Sequence, residues 1–285
     1  MLDRPHMITV TTYNIHKAHS IIRGCHLSAV KQGLHELNAD IVCLQEVQDI
    51  NTKRSQHSIE HHGHSQVLAL QGQDYPYIAY GANAVYQHGN HGNAILSKHP
   101  IQKWSNIDVS DHRLEQRGIL HATVQHPEHG EIHVICAHFG LFKVSRVRQA
   151  HALIRHVREH VPMNRPLLVA GDFNDWNLHV HQLLSRELHL KDAIESVQYG
   201  QRRHSHGRIR QLTHKFSQPL KKRWIDNDWG EHDQQVGRTF PSLAPWFKLD
   251  RLYVRGLTIQ EAHIKAGSVW RERSDHAPIY AELSL

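Results

Sequence analysis

The chain has 285 residues, 39% of them apolar, and a formal net charge of +6. That length suits one large α/β domain with a sizeable core, and no apolar run approaches the roughly 18–20 residues of a membrane span. Three cysteines, an odd number, argue against a disulfide framework. The opening MLDRPHMITVTTYNIH also lacks the basic-then-apolar layout of a signal peptide, so a reduced, cytoplasmic protein is expected.

In chain order, MITVTTYNI alternates as a strand, and His26–Asn38 places Leu27, Val30, Leu34 and Leu37 at helical spacing. ADIVCLQEV is an apolar run of the buried-strand type. Five more strand patterns follow, in YPYIAYG, GNAILSKHPI, KWSNIDVS, RGILHATVQH and GEIHVICAHFG, divided by Gly, Pro and Asn signals. Ser145–His160 reads as a second helix and PLLVAGD as the strand after it. KLDRLYVRG, LTIQEAHI and HAPIYAELSL close the chain. Cys43 and Cys136 sit inside apolar runs, where a thiol is a small buried hydrophobe. Many strands and few helices predict two sheets with helices packed outside, in a single domain over 1–285, with no Pro-, Gly- or Ser-rich linker to divide it.

The charge is unevenly placed. Ser196–Ile225 holds eight cations (Arg202, Arg203, Arg208, Arg210, Lys215, Lys221, Lys222 and Arg223) and no acid, which leaves the remainder near −2. Tyr199, Phe216 and Trp224 interleave with them, as a phosphate-tracking, base-stacking surface would. The 30 histidines show no H-E-x-x-H or paired Cys/His spacing of a zinc site. Outside the strand-end motifs they read as a compositional surface bias.

Six buried-type strands finish or begin on chemistry-bearing residues: Asn14, Glu46, His138, Asp172 with Asn174, Asp250, and Asp275-His276 in SDHAP. Packed side by side, such strands bring their ends to one rim, where α/β proteins bind ligands. Two carboxylates can hold a hard divalent cation through oxygen, imidazoles and amides can donate to phosphate oxygens, and a further carboxylate can take a proton from water. This is a kit for metal-assisted hydrolysis of a phosphate ester.

The motifs TYNIH, LQEV, GNAILSKHPI, AHFG, GDFND, LDRLYV and SDHAP, in this order from about Ile8 to Leu285, resemble those of the endonuclease/exonuclease/phosphatase superfamily. NIHKA and RVRQA make the chain similar to its small bacterial, cardiolipin-synthase-associated members. The resemblance implies a four-layer α/β sandwich of two mixed sheets packed face to face with helices outside. It implies that Asp172 activates water with Asn174 beside it, that Glu46 binds Mg²⁺ (or Mn²⁺) next to Asn14, and that His138 and His276 donate to the phosphoryl group. Asp250 would hold His276, and Asp275 would back the metal or bind a second one. Arg117 and Arg146 match substrate-side positions, Arg146 equally suiting a structural role at its helix start. The chain departs from several nuclease relatives at His16, where they carry an acid; a neutral imidazole suits softer metals than Mg²⁺.

Loops set the substrate on such a fold. The expected activity is a metal-dependent nuclease, on DNA before RNA, with Arg202, Arg203, Arg208, Arg210, Lys221, Lys222 and Arg223 on the substrate. The alternative is a phospholipid or lipid-head-group phosphodiesterase, whose basic stretch and Pro241–Phe247 would meet an anionic membrane peripherally. A non-catalytic binding module would have lost the base or the metal ligand, and both stand here. A monomer is expected.

Overall fold

In the computed structural model, residues 7–20, 24–51, 65–112, 115–198, 238–242 and 247–284 are described. Apart from its first residues, the basic stretch falls outside them, and Arg202, Arg203, Arg208, Arg210, Lys221, Lys222 and Arg223 with it.

Two six-stranded sheets form the centre. The first runs β13 (Thr258–Ile264), β14 (Ile279–Ser284), β1 (Ile8–Asn14), β4 (Ile41–Asn51), β6 (Gly89–Ser97), β5 (Tyr77–Tyr86). The second runs β11 (Lys191–Asp192), β12 (Asp250–Arg255), β10 (Leu167–Asp172), β9 (Gly130–His138), β8 (Gly118–His126), β7 (Ile101–Asp108). Each sheet has one parallel pair, β1 with β4 and β9 with β10, and is otherwise antiparallel. β2 (His19–Ser20) and β3 (Gly24–Cys25) make a small separate ribbon.

Strand alternation builds three apolar layers. Ile132, Val134 and Cys136 of β9 join Leu168, Ala170, Val10, Ile41 and Cys43 between the sheets. The opposite β9 face, Ile135 and Ala137, packs with Leu153, Ile154 and Val157 of α3 (Lys143–His160) and Leu184 of α4 (His179–Leu188). On the first sheet's outside, Leu27, Val30, Leu34 and Leu37 of α1 (Leu27–Leu37) lie with Val67 and Leu70 of α2 (Gln66–Gln71) and Trp270 of α5 (Ser268–Arg273). The result is the expected α/β/β/α sandwich. Strands buried on both faces need near-continuous apolar sequence, which is why β9 and β10 read as runs.

Four expectations change in detail. α1 stops at Leu37 because Asn38 takes the left-handed conformation of a helix end, its N–H bonding the Leu34 carbonyl. The second helix starts two residues earlier than expected, at Lys143. Glu46 does not end its strand: β4 continues to Asn51, and Glu46 sits at an irregularity between Leu44 and Val47 with φ 57°. α2, α4 and α5 were not legible; α4 buries only Val180, Leu184 and Leu188 among histidines and polar residues. Among the described residues no helix is long and apolar enough to cross a membrane.

One glycine is dictated by close approach. A Cβ at Gly171 (φ 147°) would lie 1.9 Å from the Ala137 carbonyl oxygen of β9, so β10 passes its neighbour at this point only without a side chain. Gly171→Ala is expected to cost about 1–3 kcal/mol in urea unfolding, the usual penalty of forced overpacking, and to lower activity by more than its stability loss explains, because Asp172 is the next residue.

Candidate active site

Pairing of β9, β10 and β12 aligns three site residues. Asp172 stands opposite His138 in the parallel pair and opposite Asp250 in the antiparallel pair, and all three are buried. The β10–β12 pairing is antiparallel, so the start of β12 lies beside the ends of the other two. The first sheet adds Asn14 from the end of β1 and His276 from the loop into β14.

Asp172 is fixed through both oxygens. Its Oδ1 accepts the Asn174 backbone N–H at 2.9 Å, and its Oδ2 accepts Nδ2 of Asn14 at 3.0 Å. Asn174 holds a left-handed φ of 48° and donates its side-chain amide to the Phe139 carbonyl at 2.9 Å. Nε2 of His138 and Nε2 of His276 lie 3.7 and 3.8 Å from Asp172 Oδ2. Both gaps exceed a hydrogen bond, which leaves each nitrogen available to a substrate oxygen.

Neighbours set the two imidazoles differently. Nη1 of Arg117 lies 3.3 Å from His138 Nδ1; guanidinium only donates, so Nδ1 accepts and Nε2 carries the proton. Burial, with Arg117 and His276 adding to it, holds His138 well below its ordinary pKa, and the ring is neutral. Nδ1 of His276 donates to Asp250 Oδ2 at 2.7 Å. Burial opposes the charge on His276, but Asp250 with Asp172 and Asp275 outweighs it and lifts the pKa to about 10. Burial first, then the Asp250 charge, pushes Asp172 up to about 6. The pocket therefore holds one neutral donor, one cationic donor and a desolvated carboxylate whose proton affinity suits a base near neutral pH.

Beside this row lies a strained turn. His16, Lys17 and Ala18 all take left-handed φ, at 46°, 58° and 45°, a conformation that costs non-glycine residues roughly 1–2 kcal/mol each. It brings Nδ1 of His16 within 2.7 Å of Asp275 Oδ2 and Nζ of Lys17 within 3.6 Å of Glu46 Oε2. Glu46, itself at a strained position, lines a cleft with His138, Arg117 and Asn93. A partly exposed carboxylate already facing a cation, with Asp275 bonded to the same turn through His16, fits a hard divalent ion bound through oxygen. Asp172, Asp250 and His276 also bring one ligand atom each within 4.8 Å of one another. Within that trio Nδ1 of His276 is already bonded to Asp250, which leaves only its Nε2 to another partner.

The structure thus brings together Asn14, His138, Asp172, Asn174, Asp250 and His276, with Glu46 and Arg117 along the adjoining cleft and Asp275 joined to the turn through His16. Asn14 gives its Nδ2 to Asp172 and accepts the His16 N–H at its Oδ1, so it joins the base to the turn beside Glu46. Arg146 does not face the cleft. It is buried, donates to the Leu141 carbonyl and lies under the Trp176 ring at 5.1 Å, which is the structural alternative of the two. Two contributors were missed. Ser274 Oγ donates to the Asn14 carbonyl at 2.7 Å and accepts the His276 N–H at 3.2 Å, locking SDHAP to TYNIH; its place inside the motif was the available signal. Lys17 had none, because its role depends on a backbone conformation no pattern announces.

Residues 11–276 match the profile of the Endonuclease/Exonuclease/phosphatase family. The chain belongs to this family. The uncharacterized protein YbhP of Escherichia coli K12 is 34% identical over 278 residues, 97% of this chain and 96% of YbhP. Among solved structures, the human nocturnin catalytic domain with a bound sulfate anion superposes with TM-score 0.67 at 16% identity, covering 99% of this chain and 96% of that one. The mannosyl-6-phosphatase Bt3783 of Bacteroides thetaiotaomicron gives TM-score 0.65 at 16% identity, covering 98% and 100%. Those likenesses establish the fold. Family members are phosphoric ester hydrolases, a chemistry that the Asp172 pocket is equipped to perform.

A base must be ionised and a charged donor protonated. Activity is therefore expected to rise with pH through about 6 as Asp172 ionises and to fall through about 10 as His276 loses its proton. Asp250 raises both groups, so Asp250→Asn should move both limbs of the kcat/KM profile to lower pH. An alkaline limb that stays in place would show that His276 is not the group responsible.

Proposed function

We propose that the protein is a divalent-metal-dependent phosphodiesterase acting on nucleic acid, DNA before RNA, by direct attack of water activated by Asp172. What carries this reading is the pair of Nε2 donors flanking Asp172 Oδ2 at 3.7 and 3.8 Å. Asp172 takes the proton as the water oxygen bonds to phosphorus and the ester oxygen departs. Neutral His138 and cationic His276 donate to phosphoryl oxygens as negative charge builds, and Arg117 keeps His138 in the required tautomer. A removed donor of this kind typically costs about 10²–10³-fold in rate. Glu46 and Asp275 are the residues that would hold Mg²⁺ or Mn²⁺, which when bound supplies charge neutralisation at the phosphate.

Substrate choice rests on the loops around this pocket. Phe142, Trp176 and Phe247 are 66%, 45% and 45% exposed. They lie just after the His138 strand, just after the Asp172 strand and just before Asp250. Exposed aromatic faces beside a phosphate site suit base stacking, worth about 1–3 kcal/mol per base, and the stretch Arg202–Arg223 supplies cations. A second reading is kept alive by Leu141 and Leu178 on the same loops and Val144 in the first turn of α3, all aliphatic and exposed, which suit a lipid substrate at an anionic membrane.

The test is Mg²⁺- or Mn²⁺-dependent cleavage of single-stranded, duplex and abasic DNA and of RNA, beside vesicles of anionic phospholipid. Wild type should cut a nucleic acid, with Asp172→Ala and His276→Ala each at least about 10²-fold slower. If the basic stretch touches five phosphates, log affinity for duplex should fall with log salt at a slope near −4 to −5, and neutralising Lys221, Lys222 and Arg223 should flatten it. Turnover of phospholipid alone would overturn the nuclease reading in favour of the second.

A further inference from the structure

A second cavity, of about 260 Å³, adjoins the cleft of Glu46 and His138 and shares His91, Gln116 and Arg117 with it. Three parts of the chain line it: β5 and β6 with Ala84 and His91, the loop before β8 with Glu115 and Gln116, and the loop after β9 with Leu141 and Phe142.

The two loops are tied together by buried polar bonds. Gln149 of α3 donates its Nε2 to Glu115 Oε2 at 2.8 Å and accepts the Gly140 N–H at its Oε1, also at 2.8 Å. Glu115 Oε2 accepts the Asp111 N–H as well, at 3.2 Å, and Asp111 takes bonds from Ser145 and Arg148 of α3 at 2.9 and 2.7 Å. A Cβ on Gly140 would lie 1.7 Å from Glu115 Oε1, so the loops approach this closely only with glycine there. Breaking buried bonds of this kind is costly, and the cavity is therefore formed before any ligand enters, as binding sites commonly are.

Its opening is apolar and uncovered. Leu141 and Phe142 are 55% and 66% exposed, and the Phe142 ring lies beside that of His112 with centroids 6.3 Å apart. Arg117 lines both spaces. Its Nη1 goes to His138, while its buried Nε has no partner among the described residues. An aromatic face, an amide that both donates and accepts, and an unused guanidinium N–H match a nucleobase, whose face stacks and whose edge hydrogen-bonds. An acyl chain would instead desolvate Glu115, Gln116 and Arg117 without pairing them. The volume falls below the roughly 300–1,000 Å³ of sites that take drug-sized ligands, so one base fits and a base pair does not.

Resting on the nuclease reading above, we propose that this cavity binds one unpaired nucleobase next to the scissile linkage, with Phe142 on its face and Gln116 on its edge. A base must leave its partner to enter. Unpairing opposes that in a duplex and is absent in a single strand, so the site selects single-stranded or extrahelical nucleotides.

The test measures kcat/KM with Mg²⁺ or Mn²⁺ on a short single strand holding one cleavable diester. The bases are intact, or one is removed on the 5′ or the 3′ side of that linkage, and the intact strand is also paired to its complement. Wild type should cut the intact single strand at least about tenfold faster than the duplex. Phe142→Ala, which alters an exposed side chain, should lose about tenfold on the intact strand, the usual size of one base stack. That loss should vanish on one abasic strand, where the stacked base is already missing, and persist on the other. Gln116→Ala should show the same one-sided pattern, and Phe142→Tyr, which keeps a ring, should recover most of the loss. The control Trp104→Ala, exposed on the edge strand β7, should match wild type. No loss in Phe142→Ala, an equal loss on both abasic strands, or equal rates on single strand and duplex would overturn the pocket and leave the nuclease reading standing. Cleavage of no strand by wild type would overturn that reading and the base-binding role with it.

Discussion

The pairing of β9, β10 and β12 is the constraint on which the site depends. A strand's side chains alternate faces, so a slip of one residue would turn Asp172 away from the pocket and put Gly171 in its place. Burial on both faces makes such a slip costly: Leu168 and Ala170 would leave the inter-sheet core while Leu167 and Val169 would leave the helix-facing one. The hydrophobic effect that builds two apolar layers therefore also fixes His138, Asp172 and Asp250 in one row. Close passage of β10 at Ala137, possible only with glycine at 171, keeps the row tight.

Hydrophobic packing does not fix how the two sheets meet at the mouth. Polar bonds do that. Asn14 of the first sheet donates to Asp172 of the second, His276 donates to Asp250, and Ser274 ties the His276 loop to the Asn14 carbonyl. All are buried, where an unmade bond costs about 1–3 kcal/mol, so the sheets are held in one relative position at the candidate site. The same bonds set protonation. Asp250 raises His276 and Asp172 together, while burial, with Arg117 beside it, keeps His138 neutral, so two chemically identical side chains present different donors.

Much of this was legible because it is local. Each catalytic side chain follows or opens an apolar run, and Asp172, Asp250, His138 and His276 could be placed from that pattern and the family motifs. What could not be read depends on backbone conformation or distant packing. Glu46 looked like a strand end but occupies an irregularity inside β4. The left-handed turn at His16–Ala18 carries no glycine to announce it, yet it delivers Lys17 to Glu46 and His16 to Asp275. Arg146 kept its structural alternative because the position of Trp176 above it is a tertiary fact. His121, His133, His156 and His160, on β8, β9 and α3, lie as far as 39 residues apart in sequence and meet only when the helix docks.

The proposed division of labour puts catalysis at the strand ends and selection on the segments that follow them. The residues proposed to touch a phosphoryl group stand at strand ends, locked by register and by buried hydrogen bonds. Three to six residues beyond His138 and Asp172, the chain emerges with Leu141, Phe142, Val144, Trp176 and Leu178 exposed. Those side chains contribute little to the core, so they can change without disturbing the row beneath them. A fold arranged this way keeps its hydrolytic chemistry while its substrate changes, which is consistent with a mannosyl-6-phosphatase and nocturnin sharing one architecture. For this chain, the mixture of aromatic and aliphatic side chains at the rim, more than the catalytic geometry, is where nucleic acid and lipid are to be told apart.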